Sequence, residues 1–224
     1  MNNKNNRIHI SVIIPVYFNE GSLVLLTEKL KKVLYKYDKD VSYELIFIDD
    51  GSKDNSFSEL LTLRESDRDH IKLIKFTRNF GQVPAIYAGY KYANGDAIIN
   101  ISADLQDPPE LIFEMLNYFF NEKYDIVICT RENRKEPLYR KITSKIFYKL
   151  INWLSFSNMP TGGFDYVLIS NKVKEKIIKT NESNPFWQGQ ILWTGFDIKF
   201  IPYTRRNREV GESKWTFAKK VKLL

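Results

Sequence analysis

A chain of 224 residues with 43% hydrophobic and 14% aromatic side chains can bury one large core unaided, which excludes a disordered or disulfide-framed protein. Its one cysteine, Cys129, lies in the apolar run from Asp125 to Thr130 and reads as a buried structural thiol, not part of a metal cluster. The net charge of +7 is concentrated late: residues 131–149 hold seven Lys/Arg against two Glu, a net of +5, and residues 199–224 hold eight against two, a net of +6. Such stretches suit anionic lipid, a phosphorylated substrate or a solvated face.

The polar start Met1–Arg7 is followed by an apolar stretch too short for a signal segment or a membrane span, so a soluble chain of cytoplasmic character is expected. Ile8–Val16 is an apolar, β-branched run that predicts a strand. Ser22–Tyr37 follows with Leu23, Leu26, Leu30, Val33 and Leu34 at helical spacing, and Tyr43–Ile48 predicts the next strand. The alternation continues with a helix over Asp54–Arg68, a strand over Ile71–Phe76, a helix over Gln82–Ala93 and a strand over Ala97–Ile101. A helix over Pro108–Phe120 and a strand over Tyr124–Cys129 complete it. Repeated βαβ units predict an α/β fold, a Rossmann-like, mostly parallel sheet flanked by helices. Beyond Arg131, Arg140–Ser155 predicts an amphipathic helix with Ile142, Ile146, Phe147, Leu150, Ile151 and Leu154 on one stripe. The expectation is a single domain, with residues 1–130 as a nucleotide-binding half and residues 131–224 as an acceptor-side half.

There is no Gly-x-Gly-x-x-Gly after the first strand and no Gly-Lys-Ser/Thr, which removes the usual dinucleotide and P-loop signatures. The first strand ends instead in Ile14-Pro15-Val16-Tyr17-Phe18-Asn19-Glu20 and the second in Ile48-Asp49-Asp50-Gly51-Ser52. Strand-end carboxylates can accept hydrogen bonds from a base or a ribose, and Gly51 permits a tight turn. The fourth strand runs into Ser102-Ala103-Asp104-Leu105-Gln106-Asp107-Pro108-Pro109-Glu110. In an extended segment Ser102, Asp104 and Gln106 would share a face, and hard oxygens of this kind suit Mg²⁺ or Mn²⁺.

Taken together, Val12–Glu20, Asp49–Ser52 and the acidic segment at 102–107 resemble glycosyltransferase family 2, the inverting enzymes of the GT-A fold. Thr77–Gln82, Asp104–Glu110 and Gly211–Trp215 look like the branch that glycosylates polyisoprenyl phosphates, with dolichyl-phosphate mannose synthase and the bactoprenol glucosyltransferases. The resemblance implies an inverting transfer of a sugar from a nucleotide sugar, expected to be UDP-linked, to a polyprenyl phosphate such as undecaprenyl phosphate. The place implied is the cytoplasmic face of the inner or plasma membrane, in the making of cell-surface glycans.

On that resemblance the donor would meet Pro15, Tyr17, Asn19, Glu20, Asp49, Asp50, Ser102 and Ala103. The chain departs from the family's Asp-x-Asp at Ser102, so Asp104 becomes the principal ligand of Mg²⁺ or Mn²⁺, with Gln106 assisting. Asp104, Asp165 and Arg131 are the candidate catalytic residues, and Arg205, Arg208 and Lys214 the candidate clamp for the acceptor phosphate. A phosphate monoester is already ionised near neutral pH and needs no enzyme base, whereas Asp165 would serve as base toward a hydroxyl. Phe186, Trp187 and Trp193 are candidates for an apolar wall against sugar or lipid.

The expected partners are a nucleotide sugar, the polyprenyl phosphate, an anionic membrane surface and a second copy of the chain. Nucleic acid is not expected, because it leaves the acidic strand ends unexplained. Relatives in this branch continue into transmembrane helices while this chain stops at Leu224, so it is expected to be either truncated or a soluble member that docks peripherally. The alternatives are a family 2 enzyme acting on a saccharide hydroxyl, and a non-catalytic nucleotide-sugar-binding module in which Ser102 marks lost catalysis.

Overall fold

The computed structural model describes residues 8–37, 41–132, 159–160, 163–180, 182 and 185–207. In chain order they form β1 (His9–Val16), α1 (Leu23–Tyr37), β2 (Ser42–Asp49), α2 (Ser56–Ser66), β3 (Ile71–Lys75), α3 (Gln82–Tyr92), β4 (Ala97–Asn100) and α4 (Leu111–Phe120). These are followed by β5 (Ile126–Arg131), β6 (Val167–Ser170), α5 (Asn171–Thr180), α6 (Trp187–Trp193) and β7 (Ile198–Tyr203). The elements expected up to Cys129 are all present. The helix expected over Arg140–Ser155 lies outside the described residues.

The strands make one seven-stranded sheet in the order β3-β2-β1-β4-β6-β5-β7. β1 pairs in parallel with β2 and β4, β2 with β3, and β5 with β7, whereas β6 runs antiparallel to both β4 and β5. Strand side chains point alternately to opposite faces, and both faces are apolar. Val12, Ile14, Leu45, Phe47, Ile99 and Val127 pack on one side with Leu26 and Leu30 of α1 and Met115 of α4. Ile13, Ile46, Ile48, Ile98 and Ile128 pack on the other with Ile86 and Tyr90 of α3, Val173 of α5 and Ile191 of α6. A parallel sheet covered on both faces leaves its strand ends for chemistry, and the order reverses between β1 and β4, where such folds open a crevice.

Toward the opposite, N-terminal ends of the strands, buried Glu44 of β2 accepts hydrogen bonds from the Ser11 hydroxyl (2.6 Å) and the Asn94 N–H (2.9 Å) and pairs with Lys72 (2.5 Å). Burial alone would raise its carboxyl, but these partners outweigh burial and hold it below its ordinary value. With the folded pKa below the unfolded one, the pair adds stability above an unfolded value of about 4.3, lost as pH falls through the folded value. Glu44→Gln is therefore expected to lower the melting temperature at neutral pH and to flatten its decline below about pH 4.5. An acid limb identical to that of the wild type would contradict the assignment.

Candidate functional site

The crevice is built from three strand-end loops tied together by hydrogen bonds. After β1, Asn19 Oδ1 accepts from the Tyr17 N–H (2.9 Å), and the Phe18 and Asn19 N–H groups donate to Ser52 Oγ (3.1 Å) and Ser56 Oγ (2.9 Å). Glu20 accepts from the Asn55 backbone N–H (3.2 Å) and side-chain amide (2.6 Å). Ser22 Oγ donates to the Ala103 carbonyl (2.9 Å), so the β1 loop is also fastened to the segment after β4. Pro15 lies within β1, opposite Ile48 of β2.

Asp49 and Asp50 separate in role. Asp49 is fully buried; its Oδ1 accepts from the Ser52 N–H (3.2 Å), and its Oδ2 has no hydrogen-bond partner. A buried carboxylate oxygen of this kind is costly unless a ligand completes it. Asp50 instead holds the 79–81 loop, accepting from Asn79 Nδ2 (2.8 Å) and from the Phe80 (2.7 Å) and Gly81 (2.9 Å) N–H groups. Burial raises its carboxyl above the usual range despite those donors.

Gly51 follows them at φ +70°, and a Cβ there would lie 2.6 Å from the Arg78 carbonyl carbon. Gly51→Ala is therefore expected to cost about 2 kcal/mol or more, read as a lower urea midpoint. A midpoint equal to that of the wild type would refute the close packing of the 78–79 backbone on this turn.

The segment after β4 is not extended, which corrects the expectation that Ser102, Asp104 and Gln106 share a strand face. The strand ends at Asn100, and the chain turns at Leu105, whose φ of +60° is held by burying its side chain. Within the turn Asp104 Oδ1 accepts from Ser102 Oγ (2.9 Å) and from the Gln106 N–H (3.2 Å). Ser102 Oγ also contacts Asp107 Oδ2 closely. The serine that stands where an acid was expected thus bridges two carboxylates.

Asp107, next to Pro108 and Pro109, is fully buried. Its Oδ1 accepts from the Tyr203 hydroxyl (2.5 Å), and Tyr203 also receives the Arg131 Nε–H (3.4 Å). Burial first, then Asp107, pushes the Tyr203 hydroxyl well above its ordinary value, so it stays protonated and donates. Arg131 Nη2 in turn pairs with Asp165 Oδ2 at 2.7 Å. Burial alone would weaken the Arg131 charge, but Asp165 and Tyr203 more than compensate and keep it cationic. A continuous polar chain therefore runs Asp104, Ser102, Asp107, Tyr203, Arg131, Asp165.

Arg205 lies over its acidic end, with Nη2 3.5 Å from Asp104 Oδ2 and Nε 3.3 Å from Asp107 Oδ1. Arg206 N–H donates to the Gln106 carbonyl (2.9 Å), Gln106 Nε2 donates to the Arg206 carbonyl (3.1 Å), and Arg206 pairs with Glu110 (3.3 Å). Arg208 and Lys214 lie outside the described residues. Of the expected apolar wall, Trp187 packs in the core edge-on to Phe164 (5.6 Å), because its helix turns that face inward, while Phe186 and Trp193 are exposed.

Among the described residues no three His, Cys, Asp or Glu side chains are grouped to hold a metal unaided. One carboxylate, Asp104, and the neutral amide of Gln106 nonetheless fit a hard cation that takes few protein ligands and completes its shell with phosphate and water. The burial of Cys129 raises its thiol well above the usual value, in keeping with a structural thiol.

This sheet order, with one antiparallel strand and an acidic turn at the crevice, is the GT-A architecture. Glucosyl-3-phosphoglycerate synthase of Mycobacterium tuberculosis, solved with Mn²⁺, UDP-glucose and phosphoglyceric acid, superposes with a TM-score of 0.61 at 16% identity. The match covers 92% of this chain and 73% of that one. The model of "Glycosyl transferase family 2" matches residues 11–178, and the chain belongs to that family.

An uncharacterized glycosyltransferase of Bacillus subtilis (strain 168) is 39% identical over 217 residues, covering 96% of this chain and 66% of that protein. An undecaprenyl-phosphate 4-deoxy-4-formamido-L-arabinose transferase of Photorhabdus laumondii is 36% identical over 217 residues, covering 96% and 65%. The chain thus spans about two thirds of the length of these curated relatives.

Proposed function

We propose that the chain carries the active site of an inverting glycosyltransferase that moves a sugar from a nucleotide sugar, UDP-linked in our reading, to a polyprenyl phosphate such as undecaprenyl phosphate. The observation that carries this reading is the pairing of Asp165 with Arg131 at 2.7 Å, linked through Tyr203 and Asp107 to Arg205. A hydroxyl acceptor needs a base, and Asp165 would have to leave its arginine to serve as one. A phosphate acceptor arrives ionised and needs cations, which Arg131 and Arg205 supply on the same edge as Asp104. The relative named for undecaprenyl phosphate supports the same acceptor class.

In this reading Asp49 and the β1 loop hold the nucleoside. Asp104 and Gln106 hold Mg²⁺ or Mn²⁺, which when bound neutralises the leaving diphosphate. The acceptor phosphate attacks the anomeric carbon from the face opposite the diphosphate, forming the new C–O bond as the sugar–diphosphate bond breaks, with inversion. Arg131 orients that phosphate, and Asp165 and Tyr203 orient Arg131. An acceptor of this lipid class would place the chain's site at the anionic cytoplasmic leaflet, and no described helix is long and apolar enough to cross a membrane.

The test is a panel of radiolabelled nucleotide sugars with undecaprenyl phosphate, with and without EDTA. EDTA-sensitive lipid-linked product from one donor is the expected result. Product only with saccharide acceptors would overturn the acceptor, and UDP binding with no turnover would favour a binding module.

A further inference from the structure

We propose that Arg205 is a positioning residue that competes with the divalent cation for Asp104 and passes its guanidinium to a phosphate group when that cation binds. The inference rests on the reading of Asp104 as the metal ligand.

The guanidinium is held by charge without well-formed hydrogen bonds. Its contacts of 3.5 Å to Asp104 Oδ2 and 3.3 Å to Asp107 Oδ1 are longer than the roughly 2.7–2.9 Å of charge-assisted N–H···O bonds. Its buried Nε has no hydrogen-bond partner at all. A guanidinium with unspent donors is primed for an acceptor of better geometry, and a diphosphate or a phosphate monoester offers bidentate oxygens.

The backbone that bears Arg205 is fastened to the turn that bears Asp104. Arg206 and Gln106 exchange two hydrogen bonds, 2.9 Å and 3.1 Å, and Arg206 pairs with Glu110. Only the Arg205 side chain, 30% exposed, has to move. Asp104 Oδ1 already accepts from Ser102 and Gln106, so Oδ2 is the oxygen turned toward positive charge. A guanidinium and a divalent cation drawn to the same carboxylate repel each other strongly in a partly buried site, so one would displace the other. By reciprocity, whatever draws Arg205 away favours the cation. Metal and phosphate binding therefore reinforce each other through one side chain.

The experiment measures Mn²⁺ affinity of the full chain by electron paramagnetic resonance, with and without saturating UDP. Arg205→Gln is expected to tighten Mn²⁺ alone roughly tenfold, while Arg206→Gln, the same charge change one residue away, moves it less than about twofold. With UDP the Arg205→Gln gain should vanish and UDP affinity should fall, and Arg205→Lys should bind Mn²⁺ as the wild type does. Melting curves establish that each variant is folded. Equal effects of Arg205→Gln and Arg206→Gln, or no tightening, would overturn the competition. Asp104→Asn tests the metal reading separately: retention of Mn²⁺ would overturn that reading, and loss with no Arg205 effect would overturn only the inference.

Discussion

Asp104→Ala is expected to lower metal-dependent sugar transfer by roughly 10²–10³-fold, the cost of removing one preorganised charge-stabilising group. Asp104 is 8% exposed, and its two oxygens serve different neighbours: one accepts from Ser102 and Gln106, the other faces Arg205. Removing the carboxylate leaves Arg205 paired with Asp107 alone, so the fold should survive while the cation loses its protein anchor. The check is kcat against Mn²⁺ concentration, together with a melting curve. Full activity in a folded Asp104→Ala protein would show that the turn at 102–107 is not the metal-bearing element.

Arg131→Ala should strike the acceptor rather than the donor. Arg131 is mostly buried and bridges Asp165 and Tyr203, so its loss leaves Asp165 without its partner and removes a cation from the acceptor side. We expect kcat/KM for the polyprenyl phosphate to fall on the order of a hundredfold while KM for the nucleotide sugar stays close to that of the wild type. Breaking this part-buried pair also costs stability, so Arg131→Lys is the companion variant. It keeps the charge without the fork, and should recover the fold but only part of the acceptor affinity. Equal losses toward donor and acceptor would remove Arg131 from the acceptor site.

The first half of the fold was legible because its signals are local. β1, β2 and β4 are short β-branched runs buried on both faces, and α1 carries leucines at helical spacing. The acidic strand ends stand out because carboxylates interrupt apolar runs. The second half was less legible. β6 is four residues, Val-Leu-Ile-Ser, too short for a periodic signal, and β7 alternates burial only weakly. The αL turn at Leu105 was hidden because leucine rarely adopts that conformation; only burial of its side chain in the core holds it there. Asp107 was in view beside two prolines, but nothing local distinguished a helix-starting acid from the hub of a network. Tyr203 carried no signal at all.

The sequence alone determined the alternating α/β architecture, the family resemblance and the strand ends at which the chemistry gathers, because periodicity and local acid placement are written in neighbouring residues. Tertiary structure decided which of those residues meet. The antiparallel insertion of β6 beside β4 pairs Asn100 with Val167 and so brings Asp165 to the same crevice. β7, paired in parallel with β5, delivers Tyr203 to Asp107 across 96 residues of chain and sets Arg205 over Asp104. Those contacts follow from strand direction and register in an open seven-stranded sheet, which are set by non-local pairing and which no local pattern encodes.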